Sequence, residues 1–218
     1  MDKINSGIEL PEGFIVFISG VPGVGKTTIS YELLKIFGAF RIIEETDLIR
    51  EVLRGYNEYI KEEFREKVQF LFDRIEITSH TKLLSFDEAK QQCAFMKKSF
   101  EKIVARQQRK GIPSIVNGVH IVPEILDGLA QNHNIIYINL YINSEAEIYR
   151  RLINRDPHSY MLNHTSLIYQ TNLDLYLSTS SLPKTRNIFN NIDVTNLNVS
   201  ETIDEIVGCI KRRISSNG

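Results

Sequence analysis

Cysteine is scarce in this chain: of 218 residues only Cys93 and Cys209 carry a thiol. Two cysteines make neither a disulfide framework nor a metal-ligand cluster, and their scarcity points to a reducing compartment. Charge of one sign is missing too. The formal net charge is −1, so no global field advertises a nucleic acid or an anionic membrane. No apolar run reaches membrane-spanning length, and the opening M-D-K-I-N-S-G lacks the apolar core of a secretion signal. Internal repeats and low-complexity tracts are absent. These absences leave a globular cytoplasmic protein with no membrane partner. At 42% hydrophobic and 24% charged residues, the length suits one α/β domain, residues 1–218, with room for an inserted subdomain.

The stretch F-I-V-F-I-S-G-V-P-G-V-G-K-T-T, residues 14–28, organises the rest. An apolar strand, Phe14–Ile18, runs into Gly20-x-x-x-x-Gly25-Lys26-Thr27, and a helix to about Phe37 follows. Strand, glycine-rich turn and helix are the setting in which this pattern cradles phosphates. Gly20, Gly23 and Gly25 permit backbone angles that aim successive N–H groups at phosphate oxygens. The helix start favours an anion. Gly20, Pro22, Gly23, Val24, Gly25, Lys26, Thr27 and Thr28 are therefore the expected nucleotide-binding residues. Lys26 reaches the β- and γ-phosphates, and the Thr27 hydroxyl ligates Mg²⁺.

Downstream, a weak second strand at 41–43 leads to Glu44-Glu45-Thr46-Asp47. Thr46 is expected to cap a helix running from Leu48 to about Arg54, with Gly55 as its stop. Helical spacing of Phe64, Val68, Leu71, Phe72 and Ile75 predicts a helix from about Glu58 to Thr78. Ser85-Phe86-Asp87-Glu88 is a capping box for a helix that ends near Gly111. Residues 56–110 read as a helical insertion between strands two and three. Strand three, 113–117, ends in Gly118-Val119-His120, and Pro123 opens a short helix. Strand four, Ile135–Ile142, is apolar throughout, as a central parallel strand is. Ser144 and Glu147 cap a helix carrying Arg150, Arg151 and Arg155, which Asp156-Pro157 breaks. Helical residues to about 180, a last strand at 187–190 and an amphipathic helix from about 200 to 214 complete the chain. Alternating strands and helices imply a parallel sheet, and ligands then sit beyond the strands' carboxyl ends.

Three segments carry a resemblance to a known family: G-V-P-G-V-G-K-T-T, E-T-D-L-I-R-E-V-L-R at 45–54 and N-G-V-H-I-V-P at 117–123. A weaker match is N-I-F-N-N-I-D-V-T at 187–195. They resemble small kinases of the adenylate-kinase-like P-loop class, most of all the 2-phosphoglycerate kinase family. The resemblance implies a three-layer α/β/α P-loop NTPase fold with a parallel sheet of about five strands, and a lid at about 150–180. It implies transfer of the ATP γ-phosphoryl group, with Mg²⁺, to a hydroxyl of a small anionic acceptor. Lys26, Asp47 and the lid arginines Arg151 and Arg155 are the expected catalytic residues. Asp47, Arg50, Asn117 and His120 are expected on the acceptor side. The family places a carboxylate where Asn117 stands, which would steady Mg²⁺ through water. Either Asp47 or Glu45 compensates here, or catalysis is weakened or lost. The loop after the last strand, Asn191–Thr195, is expected to border the adenine. Two other readings fit the residues: a polynucleotide 5′-hydroxyl kinase using Lys97, Lys98, Arg106, Arg109 and Lys110, and a nucleotide-binding switch with little transferase activity. The insertion offers a surface for a dimer.

Overall fold

The computed structural model describes residues 8–64, 85–131, 134–183 and 187–216. Its sheet is formed by β1 (Ile15–Ser19), β2 (Ile42–Glu45), β3 (Ser114–Asn117), β4 (Ile135–Tyr141) and β5 (Phe189–Asp193). The strands are all parallel, in the order β2-β3-β1-β4-β5. The helices are α1 (Lys26–Ile36), α2 (Thr46–Phe64), α3 (Phe86–Arg109), α4 (Pro123–Leu126), α5 (Glu145–Arg155), α6 (Thr165–Ser181) and α7 (Val199–Ser215). Short 3₁₀ turns follow α4 at Asp127–Gln131 and precede α6 at Tyr160–His164. The three-layer α/β/α arrangement with a five-stranded parallel sheet is the one expected from the sequence.

Strand alternation decides which layer each polar residue serves. Phe17 of β1 pairs with Tyr137, which pairs with Phe189. The three rings stack across the sheet at 4.8 and 5.2 Å, and Phe100 of α3 meets Phe17 edge-on. Two residues further along the same face, Ser19 donates to Asn139, and Asn139 to Asn191. Asn191 in turn donates to Ser180 Oγ and the Tyr176 carbonyl of α6. This face therefore meets α3 and α6. Residues of opposite parity meet α1, where buried Asn117 donates to Ser30 Oγ at 2.9 Å.

Several boundaries differ from expectation. Gly55 does not stop α2, which continues to Phe64. An interior glycine costs a helix only about 1 kcal/mol, and no Schellman-type stop follows it here. The expected helix at Glu58–Thr78 thus begins inside α2, and its remainder lies outside the described residues, as do Phe70 and Phe72. Phe64 is largely exposed. The last strand sits at Phe189–Asp193, later than expected. Residues 191–193, expected in a loop beside the adenine, are therefore in the sheet. The helix expected over about 158–180 is present as Thr165–Ser181, starting later than expected, with Ile168, Thr171, Asn172 and Leu175 buried. Only 156–164 of the 150–180 stretch is an exposed connection outside helices α5 and α6. Both predicted boxes at 85–88 and 144–147 do cap their helices: Ser85 and Ser144 accept from the N–H groups of Glu88 and Glu147.

Candidate active site

The glycine-rich loop leaves β1 and closes on the start of α1. Gly20 has φ +140°, and a Cβ there would come within 2.5 Å of the Leu140 carbonyl oxygen. No other residue fits between β1's end and β4. A Cβ on Gly23 would lie 3.5 Å from Leu152 and 3.9 Å from the Arg151 Cβ, so the loop rests on α5. Lys26 opens α1 and folds its ammonium back onto the Val21 carbonyl at 3.0 Å. Burial pushes its pKa down to about 8. Asp47 and Glu45 oppose that shift, while Arg155 adds to it. Thr27 and Thr28 are exposed on the first turn. A glycine-rich loop at a helix start with one buried cation suits a polyphosphate.

Across the rim, β3 and β2 deliver the second half of the site. The chain turns at Gly118, whose absent Cβ would lie only 1.7 Å from Thr46 Oγ1. That close approach lets the Thr46 hydroxyl reach Nδ1 of His120 at 2.9 Å. Thr46 was expected as a helix cap; it begins α2, and its hydroxyl bonds His120. His120 is fully buried. Its pKa falls to about 4, through burial first and then the Arg50 and Lys26 charges, with Asp47 acting the other way. Arg50 lies on the same helical face as Asp47, and their side chains pair at 3.3 Å. Arg50 also meets Glu51 at 3.3 Å and His120 Nε2 at 3.3 Å. Asp47 is 64% exposed, so its carboxylate stays open to a ligand.

The structure separates the remaining expected residues. Asn117 stands at the end of β3, but its amide is spent behind α1. It donates to Ser30, whose hydroxyl donates to the Lys26 carbonyl at 2.9 Å. That chain ties β3 to the first turn of α1, and Ser30 had no sequence signal marking it. Arg151 is pinned by Glu147 at 2.7 Å and by the carbonyls of Val194 and Thr195. It joins α5 to the loop after β5 and is not free to close over phosphates. Arg150 binds Glu147 with two nitrogens at 2.7 Å. Arg150 first, then Arg151, hold the Glu147 carboxyl down to about 2 against its partial desolvation. Glu147 was read only as a cap, and its service to both arginines was missed. Arg155, exposed at the end of α5, is the arginine whose charge reaches Lys26. On α3, Lys98 pairs with Glu101 at 2.7 Å, and Arg106, Arg109 and Lys110 are exposed, as on a solvated helix face. Arg186 lies outside the described residues.

No family model matches the chain. Its curated relatives include a protein named 2-phosphoglycerate kinase from Methanocaldococcus jannaschii, 27% identical over 217 residues, covering 93% of this chain and 64% of that protein. Another of that name, from Methanococcus maripaludis, is 25% identical over 225 residues, covering 93% and 66%. The chain thus spans about two thirds of the length of these relatives. Among solved structures, a gluconokinase from Sinorhizobium meliloti aligns with a TM-score of 0.56 at 18% identity, over 96% of this chain and 97% of that one. A shikimate kinase from Bacteroides thetaiotaomicron aligns at 0.51 and 14% identity, over 91% and 98%. The chain is a homologue of proteins named 2-phosphoglycerate kinase, and it has the fold of small P-loop kinases.

Two outcomes follow from this geometry. Gly118→Ala must push Thr46 aside and is expected to destabilise the fold by about 2 kcal/mol or more. Combining it with Thr46→Ala, which removes the atom at 1.7 Å, should recover part of that loss. Equal chemical-denaturation midpoints for Gly118→Ala and wild type would refute the close approach. For Lys26, the folded value of about 8 lies below the ordinary 10.5. Between those values the unfolded chain holds a proton that the folded chain has released, so this residue makes stability rise with pH there. Its burial cost is fully present below pH 8. Lys26→Met should therefore melt above wild type below pH 8 without nucleotide, the gap shrinking toward pH 10.5. A gap that does not change with pH would exclude a desolvated ammonium.

Proposed function

We propose that the protein is an ATP- and Mg²⁺-dependent kinase that moves the γ-phosphoryl group onto a hydroxyl of a small anionic acceptor of the 2-phosphoglycerate type. The observation that carries this reading is a buried Lys26 ammonium behind the glycine-rich loop, with Asp47, Glu45 and Arg155 all acting on its charge at one sheet rim. The names of the relatives and the kinase fold support it.

Phosphoryl transfer asks a protein for positioning and charge, with little covalent chemistry. The amides of residues 20–28 and the Lys26 ammonium hold the donor, Lys26 leaving the Val21 carbonyl for phosphate oxygens. Among the described residues no cluster of three acidic, histidine or cysteine side chains would hold a metal by itself. The Thr27 hydroxyl and the nucleotide's own oxygens are then the ligands expected for Mg²⁺, which when bound neutralises phosphate charge. Asp47 faces the site with an open carboxylate and orients the acceptor hydroxyl. As the new O–P bond forms and the bond to the ADP oxygen breaks, the hydroxyl proton passes toward Asp47. Arg155 offsets charge on the transferring group. Arg50 receives the acceptor's anionic group. Asn117 supplies no charge to the metal in this scheme and acts through Ser30 on the α1 start.

The test is ADP release from ATP and Mg²⁺ across small hydroxy acids, with 2-phosphoglycerate, glycerate, gluconate and shikimate as probes. Turnover with the phosphorylated acid and its disappearance in a folded Lys26→Ala variant are expected. ADP release that is indifferent to every acceptor would overturn the reading. Asp47→Asn is expected to lower kcat by about 10²- to 10⁴-fold while ATP affinity stays near wild type. An equal loss of both would make Asp47 a helix-end residue only.

A further inference from the structure

His120 carries a contact whose direction is fixed by chemistry. Arginine has five N–H donors and no acceptor. The 3.3 Å approach of Arg50 Nη1 to His120 Nε2 is therefore a bond that Arg50 donates and the imidazole accepts. A ring that accepts at Nε2 bears its proton on Nδ1, and that N–H donates to Thr46 Oγ1 at 2.9 Å. Both nitrogens are thus occupied, and the ring has no exposed surface. The sequence placed His120 on the acceptor side; in the structure its ring is buried and both nitrogens face other side chains.

We infer that His120 is the positioning residue for Arg50: a neutral imidazole, set in the Nδ1–H form by the donor-only guanidinium and anchored by Thr46, aims one arm of that guanidinium without cancelling its charge, so that Arg50 meets an anionic acceptor group. This deepens the proposed function and rests on its anionic acceptor. The other two guanidinium nitrogens contact Asp47 and Glu51, each at 3.3 Å. Those carboxylates compete with an incoming anion for Arg50; His120 does not. A carboxylate in its place would fix the same arm and neutralise it. Burial beside Arg50 and Lys26 keeps the ring uncharged well below neutral pH, with Asp47 the opposing group. The fully buried histidine is therefore an aiming device built from two chain segments: Thr46 at the start of α2, and the turn after β3, where Gly118 makes room and His120 supplies the ring.

The experiment compares His120→Asn, which still reaches Thr46 but falls short of Arg50, with His120→Gln, whose carbonyl reaches Arg50. With 2-phosphoglycerate and ATP, His120→Asn is expected to raise the acceptor KM about tenfold, the loss of one hydrogen bond to a charged group. Its kcat and ATP KM should move less than about threefold on the same reasoning, because neither contact reaches the donor side. His120→Gln should recover most of the lost acceptor affinity. An acceptor KM unchanged in His120→Asn, or one rising in step with the ATP KM, overturns the inference. Side-chain ¹⁵N NMR of the wild type reads it without turnover. The expected spectrum at pH 7 shows a neutral Nδ1–H ring whose Nε2 resonance shifts in Arg50→Gln. An Nε2–H ring, an imidazolium, or an unmoved Nε2 resonance refutes the inference even if 2-phosphoglycerate proves not to be a substrate. Failure of 2-phosphoglycerate turnover with the expected spectrum would instead sink the acceptor assignment alone.

Discussion

The alignment of β1 between β3 and β4 sets everything at the rim. Ile18 pairs with Asn117 and Ser19 with Asn139, so β1 and β3 end at about the same level, while β4 runs on two residues to Tyr141. The phosphate loop, the Gly118 turn and the Asn139 amide then emerge side by side. A one-residue slip would turn each of these polar side chains to the other layer. The sheet protects that register with side-chain bonds as well as backbone ones. Asn117 is tied to α1 through Ser30, and Ser19, Asn139 and Asn191 form a ladder to α6. A buried polar group without a partner is costly, so a slip would forfeit the ladder and the tether together.

That constraint explains why the two halves of the site are so differently built. The donor half is made of backbone, a short loop pressed between β4 and α5, and it needs glycine because of what lies against it. The acceptor half is made of side chains on α2 and the turn after β3, and it is held by Thr46, His120 and Arg50 in sequence. A backbone cradle suits a ligand shared by many enzymes. In the proposed reading, acceptor choice resides in that side-chain constellation, since fold and site chemistry vary independently.

The donor half and the fold were legible because their signals are local. Gly20 to Thr27 is a contiguous pattern with a fixed physical meaning, and the apolar run at 135–142 announces a buried strand. Asp47 and Arg50 were legible as one helical face. What escaped reading was partnership across distance. Asn117 and Ser30 are 87 positions apart, Thr46 and His120 are 74, and no spacing rule connects them. Gly55 misled for the opposite reason: a local breaker was overridden by the helix formers on both sides and by α2's packing against β2 and α3. Arg151 and Arg155 share a face, yet one is consumed by Glu147 and the loop carbonyls and the other is exposed. Only the position of β5 distinguishes them.

The amide at 117, which broke the family pattern, is consistent with the charges around it. Lys26, Arg50 and Arg155 stand against Asp47, Glu45 and Glu51 at the rim. In the proposed reaction an anionic donor and an anionic acceptor meet there, and the three cations offset their mutual repulsion. A further carboxylate at 117 would leave the carboxylates at the rim outnumbering the cations. It could not donate to Ser30, and by accepting from that hydroxyl it would take the proton now given to the Lys26 carbonyl. Asn117 thus forgoes a charge and ties β3 to the turn of α1 that Lys26 opens. His120 follows the same logic on the acceptor side. In both places an uncharged polar group holds a cationic element in position and leaves its charge for the ligand.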